Sequence, residues 1–168
     1  MKILRISTRL YPDIGGPAKQ AFILSKFCSK NKIKCVNITS KPFKSFPNKI
    51  TKINPNLEIH YLPFIAPGTN SSNFKLILFS FKFFIYGLVK ALIINFKEKI
   101  DLIHCHSPPP TGFIAFLLSK IFKVPYIYTI HGLDYPNTYI LNLDMSYVAR
   151  NANKSFSVSR KINRFIKN

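Results

Sequence analysis

The sequence predicts an α/β fold, an open and mostly parallel sheet with helices on both faces. Three observations predict it. Short apolar runs of strand type alternate with segments of helical spacing along the chain, the pattern that builds parallel sheets from crossover units. The 168 residues suit one domain. Of these, 59 are Leu, Ile, Val or Phe, enough for a core that needs neither metal nor disulfide.

Taken in order, Lys2 to Thr8 reads as a buried opening strand, with Ile3, Leu4 and Ile6 apolar. Arg9 to Pro17 carries Pro12, Gly15, Gly16 and Pro17 and reads as a loop. Ala18 to Ser29 follows at helical spacing, and Pro17 suits its first turn, where a missing N–H costs nothing. Lys34 to Thr39 is a second strand. Lys41 to Asn56, polar, basic and broken by Pro42, Pro47 and Pro55, reads as a long loop. Leu57 to Leu62 is a third strand, and Pro63 to Asn73 a loop whose last residue can cap a helix from Phe74 to about Lys97.

The second half repeats the pattern. Asp101 to Cys105 is a fourth strand, Ser107 to Thr111 a rigid loop with three prolines, and Gly112 to Phe122 an apolar helix. Pro125 to Ile130 is a fifth strand and His131 to Asn137 a loop. Asn142 to Asn151 reads as helix, Ser155 to Val158 as a sixth strand, and Arg160 to Asn168 as a last basic helix. No repeat or linker divides the chain. In sheets of this kind ligands bind at the carboxyl ends of the strands. The loops of interest are therefore Arg9 to Pro17, His106 to Gly112, and His131 to Asn137.

Charge narrows the partners. Lys and Arg number 25 against 6 Asp and Glu, a net +19. Such a field draws polyanions: nucleic acid, anionic lipid or phosphorylated small molecules. A lysine-rich surface alone also accounts for it. Basic residues run the whole length, and no zinc finger, RNP signature or helix-turn-helix stands out, so nucleic acid is not the expected partner. Cys28, Cys35 and Cys105 form no even framework and read as reduced, intracellular thiols. Met1 to Ser7 lacks the apolar segment of a signal peptide. In Phe74 to Phe96, Lys75, Lys82 and Lys90 interrupt the apolar run, so a spanning helix is not expected. With Lys97 they share one side of a helix, which reads as a core helix with a wet stripe or as one lying on an anionic membrane.

Three segments can carry chemistry. In Tyr11 to Pro17, two glycines allow close backbone approach, and the following helix start offers N–H groups to an anion. The segment also reads as a plain chain reversal, since it lacks the spacing of a dinucleotide or phosphate loop. His104 and His106, two apart, share one face of a strand. No nearby set of three or four ligands supports a metal there, so a cleft-edge or core role is expected. His131 follows the fifth strand, where imidazole can hydrogen-bond a sugar hydroxyl or a phosphate. Asp134 lies in the same loop and equally suits a turn cap.

Together these pieces resemble the N-terminal, acceptor-side half of a family 4 glycosyltransferase of the GT-B architecture. The matching parts, in order, are Lys2 to Thr8 with Tyr11-Pro12 and Gly15-Gly16, Asp101 to His106, Pro125 with Thr129 to Asp134, and Phe156 to Ser159. The resemblance implies one Rossmann-like domain over residues 1–168. The chain departs from the family in lacking its donor domain, and so reads as a fragment, as one subunit of a split enzyme with that domain supplied in trans, or as a degenerate remnant. It implies retaining sugar transfer from a nucleotide sugar as co-substrate, with no cofactor or metal required, to a lipid or envelope glycan acceptor. It further implies that Gly15 and Gly16 approach the donor diphosphate and that His131 contacts the transferred sugar. Asp13, His106, Thr111 and Asp134 would border the cleft. The place implied is cytoplasmic, peripheral at the inner membrane face. The competing reading is a non-catalytic module for a membrane surface or a partner protein.

Overall fold

The computed structural model describes residues 1–13, 15–43, 50–68, 71–106, 110–131 and 146–158. Ten elements follow one another: β1 (Lys2–Ile6), α1 (Gly16–Lys30), β2 (Lys34–Lys41), β3 (Ile50–Asn54), β4 (Leu57–Ile65), α2 (Asn73–Lys97), β5 (Leu102–His106), α3 (Thr111–Phe122), β6 (Tyr126–Ile130) and β7 (Lys154–Ser157). A short helical segment, 146–151, precedes β7.

Among the described residues the strands form one sheet in the order β3-β4-β2-β1-β5-β6-β7. Every pairing is parallel except β3 on β4. This is the expected Rossmann-like, mostly parallel sheet. The two sides of the strands separate cleanly, because alternate residues point to opposite faces. Leu4, Ile6, Val36, Ile38, Ile103, Cys105, Tyr126, Tyr128 and Ile130 build the main core with α2 and α3. Ile3, Cys35, Leu57, Ile59 and Tyr61 face the other way, in two smaller clusters that include Ala21 and Cys28 of α1. Helices thus cover both faces.

Three expectations need correcting. The stretch from Lys41 to Asn56 is not loop throughout, because β3 pairs antiparallel with β4, Ile50 opposite His60. An edge strand with little burial carries no hydrophobic alternation, so its sequence looks like a loop. Lys52 on it also discourages pairing with another chain. Second, α2 begins at Asn73 itself; Ser72 stands at the cap position and makes no side-chain cap bond. Third, α2 is long and apolar enough to cross a membrane by length and composition, with a mean hydropathy of 2.0 over its best 18 residues. Its lysines interrupt the apolar run without lowering that average far. The fold nevertheless packs one stripe of it, Phe79, Phe83, Gly87, Ala91 and Ile94, into the domain. The helix 142–151 and the last helix 160–168 expected from sequence lie wholly or partly outside the described residues, as does the loop 107–109.

Candidate functional site

The chain leaves β1 toward β2 on one side, while β5 returns on the other side of β1. The carboxyl edge between β1 and β5 is therefore the topological switch point, where open α/β sheets bind ligands. The loop after β1, the end of β5 and the residue after β6 meet this edge. Gly15 and Gly16, His106, and His131 sit there. Strands β1 and β6 are two strand spacings apart, about 10 Å.

Gly15 holds φ 142 and ψ 144 at the N-cap of α1, a backbone state that side chains disfavour. A Cβ on Gly16 would meet nothing within 4 Å. The first turn of α1 has neither a side-chain cap nor an acidic residue, and Pro17 occupies it as expected. The orphan N–H groups and positive end of α1 therefore remain available to an anion. Asp13, in the same loop, accepts a hydrogen bond at Oδ1 from the Phe43 backbone N–H at 2.8 Å. It ties two loops together.

A polar line runs under the edge, on the α1 side of the sheet. Arg5 is 2% exposed. Its guanidinium donates to Ser25 Oγ and to the Ala21 carbonyl, and Nη2 lies 3.3 Å from His104 Nδ1. Guanidinium can only donate, so His104 Nδ1 accepts. The proton of His104 is then on Nε2, which lies 2.9 Å from Thr129 Oγ1. The His104 and His106 rings stack at 4.4 Å, and those of His106 and His131 at 5.2 Å. His106 Nδ1 lies 2.9 Å from His131 Nε2.

Burial and Arg5 set the charge states. Desolvation, then the positive charge of Arg5, pushes His104 down to about 3. His106 falls well below the ordinary imidazole value, chiefly through burial, then through the repulsion that a second charge would meet from a protonated His104, from Arg5 and from a protonated His131. His131 is lowered by burial alone. At neutral pH the three rings are neutral, and each has a single proton to place. They offer directed hydrogen bonds, not positive charge.

The expected site residues fare differently. His131 is half-buried at the edge, where a ligand can reach it. His106 is fully enclosed and stands behind His131, its Nδ1 2.9 Å from His131 Nε2. Thr111 is likewise fully enclosed, and its hydroxyl donates to the His106 carbonyl at 2.6 Å. It closes the turn into α3. Asp134 lies outside the described residues. Arg5 was missed. The available signal was a lone arginine inside an apolar strand, on the same alternation as the α1-facing residues. Among the described residues no group of three or more His, Cys, Asp or Glu is placed to hold a metal.

A family model, glycosyltransferase family 4, matches residues 14–168. The chain belongs to glycosyltransferase family 4. No curated protein sequence matches it significantly. Among solved structures, this family 4 domain is similar to the UDP-GlcNAc 2-epimerase from Methanocaldococcus jannaschii, with TM-score 0.55 and 13% identity, over 99% of this chain and 42% of the epimerase. It is also similar to Phytolacca americana UGT2, solved with UDP-2fluoro-glucose and pterostilbene, with TM-score 0.52 and 8% identity, over 89% of this chain and 33% of that one. At such identities the likeness concerns the fold. The family 4 domain spans less than half the length of either structure.

Proposed function

We propose that this family 4 domain is the acceptor-side half of a retaining glycosyltransferase, working with a donor-side domain in trans. The substrate would be a nucleotide sugar, and the acceptor a lipid or envelope glycan. The observation that carries the reading is the switch-point edge itself. An uncapped helix start with a glycine cradle lies on the same carboxyl edge as a neutral, half-buried His131.

In transfer, the sugar–oxygen bond to the diphosphate breaks, the acceptor oxygen takes its place, and the acceptor proton leaves with the diphosphate. Negative charge grows on the departing group. First-turn N–H groups of α1 and its positive end oppose that charge without reorganising. His131 holds the sugar by a hydrogen bond. Clamping two substrates across a cleft removes much of the entropic cost of their encounter. Neither role needs a metal or cofactor. The direct test is cleavage of UDP- and GDP-sugars by the chain with and without a donor-side partner.

A second reading, attachment to a membrane surface, is favoured by the outward side of α2. Phe74, Leu78, Phe81, Ile85 and Val89 recur every three or four residues opposite the buried stripe, and Phe96 follows two turns on. Phe81 is 65% and Phe96 88% exposed. Contiguous apolar surface of this kind usually marks an interaction site. Between Glu58 and Glu98 the sequence has no acidic residue, while Lys75, Lys82, Lys90 and Lys97 follow one flank of the helix. A second copy would bring +19 against +19, so an anionic bilayer is the complementary occupant. The place that follows is the cytoplasmic face of the membrane, peripheral to it. The chain should sediment with phosphatidylglycerol vesicles and not with phosphatidylcholine ones, and Phe81→Ser with Phe96→Ser should weaken this about tenfold or more. Equal sedimentation with both lipids contradicts the reading.

A further inference from the structure

His106 is fully enclosed, yet it makes a specific contact with the one histidine that reaches the edge. A hydrogen bond between two neutral imidazoles needs one N–H and one lone pair. Which ring donates decides what His131 can offer a ligand.

His106 has two places for its single proton. On Nε2 the proton would be buried, because that nitrogen has no hydrogen-bond partner among the described residues. A buried N–H without an acceptor is among the rarest of orphaned groups. On Nδ1 the proton is shared with His131 Nε2 at 2.9 Å. His104 does not compete, because Arg5 and Thr129 occupy both of its nitrogens.

We infer that His106 is a positioning residue that donates Nδ1–H to His131 Nε2, so that neutral His131 carries its own proton on Nδ1. Any hydrogen bond that His131 makes through Nδ1 is then one that it donates. That state suits an oxygen acceptor, a sugar hydroxyl or a phosphate oxygen, and makes His131 a poor general base. The consequence for the ligand rests on the proposed glycosyl transfer; the tautomer does not.

The test is the two-bond proton–nitrogen spectrum of the histidine rings in the full nitrogen-15-labelled chain at pH 7.5. The expected wild-type result is a protonated Nδ1 and a bare Nε2 on His131. His106→Phe keeps a stacking ring but removes the donor, and should abolish the fixed Nδ1–H form of His131. His106→Asn, whose amide N–H can stand near the lost Nδ1–H, should restore it. A wild-type spectrum with His131 protonated on Nε2 overturns the inference, and this holds even where His106→Phe does not fold. An unchanged His131 tautomer in a folded His106→Phe chain also overturns it. If the tautomer is as stated but His131→Ala transfers sugar normally, the glycosyl role of His131 fails and the inference about His106 stands.

Discussion

On the proposed reading, replacing His131 by Ala in the chain reconstituted with a donor-side domain is expected to cut sugar transfer about 10²-fold, the usual cost of losing one preorganised donor at a reacting group. The loss should fall mainly on kcat. On the proposed reading His131 would meet the transferred sugar, while the backbone at the start of α1 and a donor-side domain would hold the diphosphate, so KM for the nucleotide sugar should change little. Overall folding should survive, because His131 is only half-buried at the sheet edge. Steady-state kinetics of nucleoside diphosphate release measure both quantities. Transfer at the wild-type rate would remove His131 from the site.

Acid is expected to destabilise the domain well before its carboxylates titrate. All 4 histidines of the chain are held below the ordinary imidazole value, His60 also mainly by burial. Their sign is common. The unfolded chain takes up protons near pH 6.5, and the folded chain does not. Stability is therefore complete above about pH 6.5 and falls as the pH drops below it. His104, held at about 3, contributes a loss of about 2 kcal/mol at pH 5 by itself. His106 adds to this. With several histidines acting, Tm should fall by about 10 °C between pH 7.5 and pH 5. Glu98, lowered chiefly by its hydrogen bond with Lys34, then by Lys2, adds a loss only below the ordinary glutamate range. A Tm that stays flat from pH 7.5 to 5 contradicts the buried, neutral histidine line.

The fold was legible wherever burial wrote a pattern. β1, β2, β5 and β6 are short apolar runs because both faces of a parallel sheet are covered, and each is found within a residue or two of its expected ends. β3 was illegible for the opposite reason, as an exposed edge strand has no buried face to announce it. The site was half legible. Gly15, Gly16 and His131 follow from their position between elements. The roles of Arg5, His106 and Thr111 do not, because sequence gives the strand face a residue shares but not which nitrogen meets which partner. His104 and His106 share a face, as their spacing requires. Only the register of Arg5 opposite His104, and of His106 opposite Thr129, turns that face into a connected polar line ending at His131.

The family match covers 155 residues, 14–168, and the proposed glycosyl transfer requires that this domain meet a donor-side domain across a cleft. The most direct measurement purifies the full chain under native conditions, takes intact masses of what accompanies it, and assays the product for cleavage of UDP- and GDP-sugars. The expected result is a stoichiometric second chain with its own Rossmann-like domain, and cleavage that is lost when either chain is removed. A chain that emerges alone or as a homo-oligomer, with no cleavage of any nucleotide sugar, contradicts it.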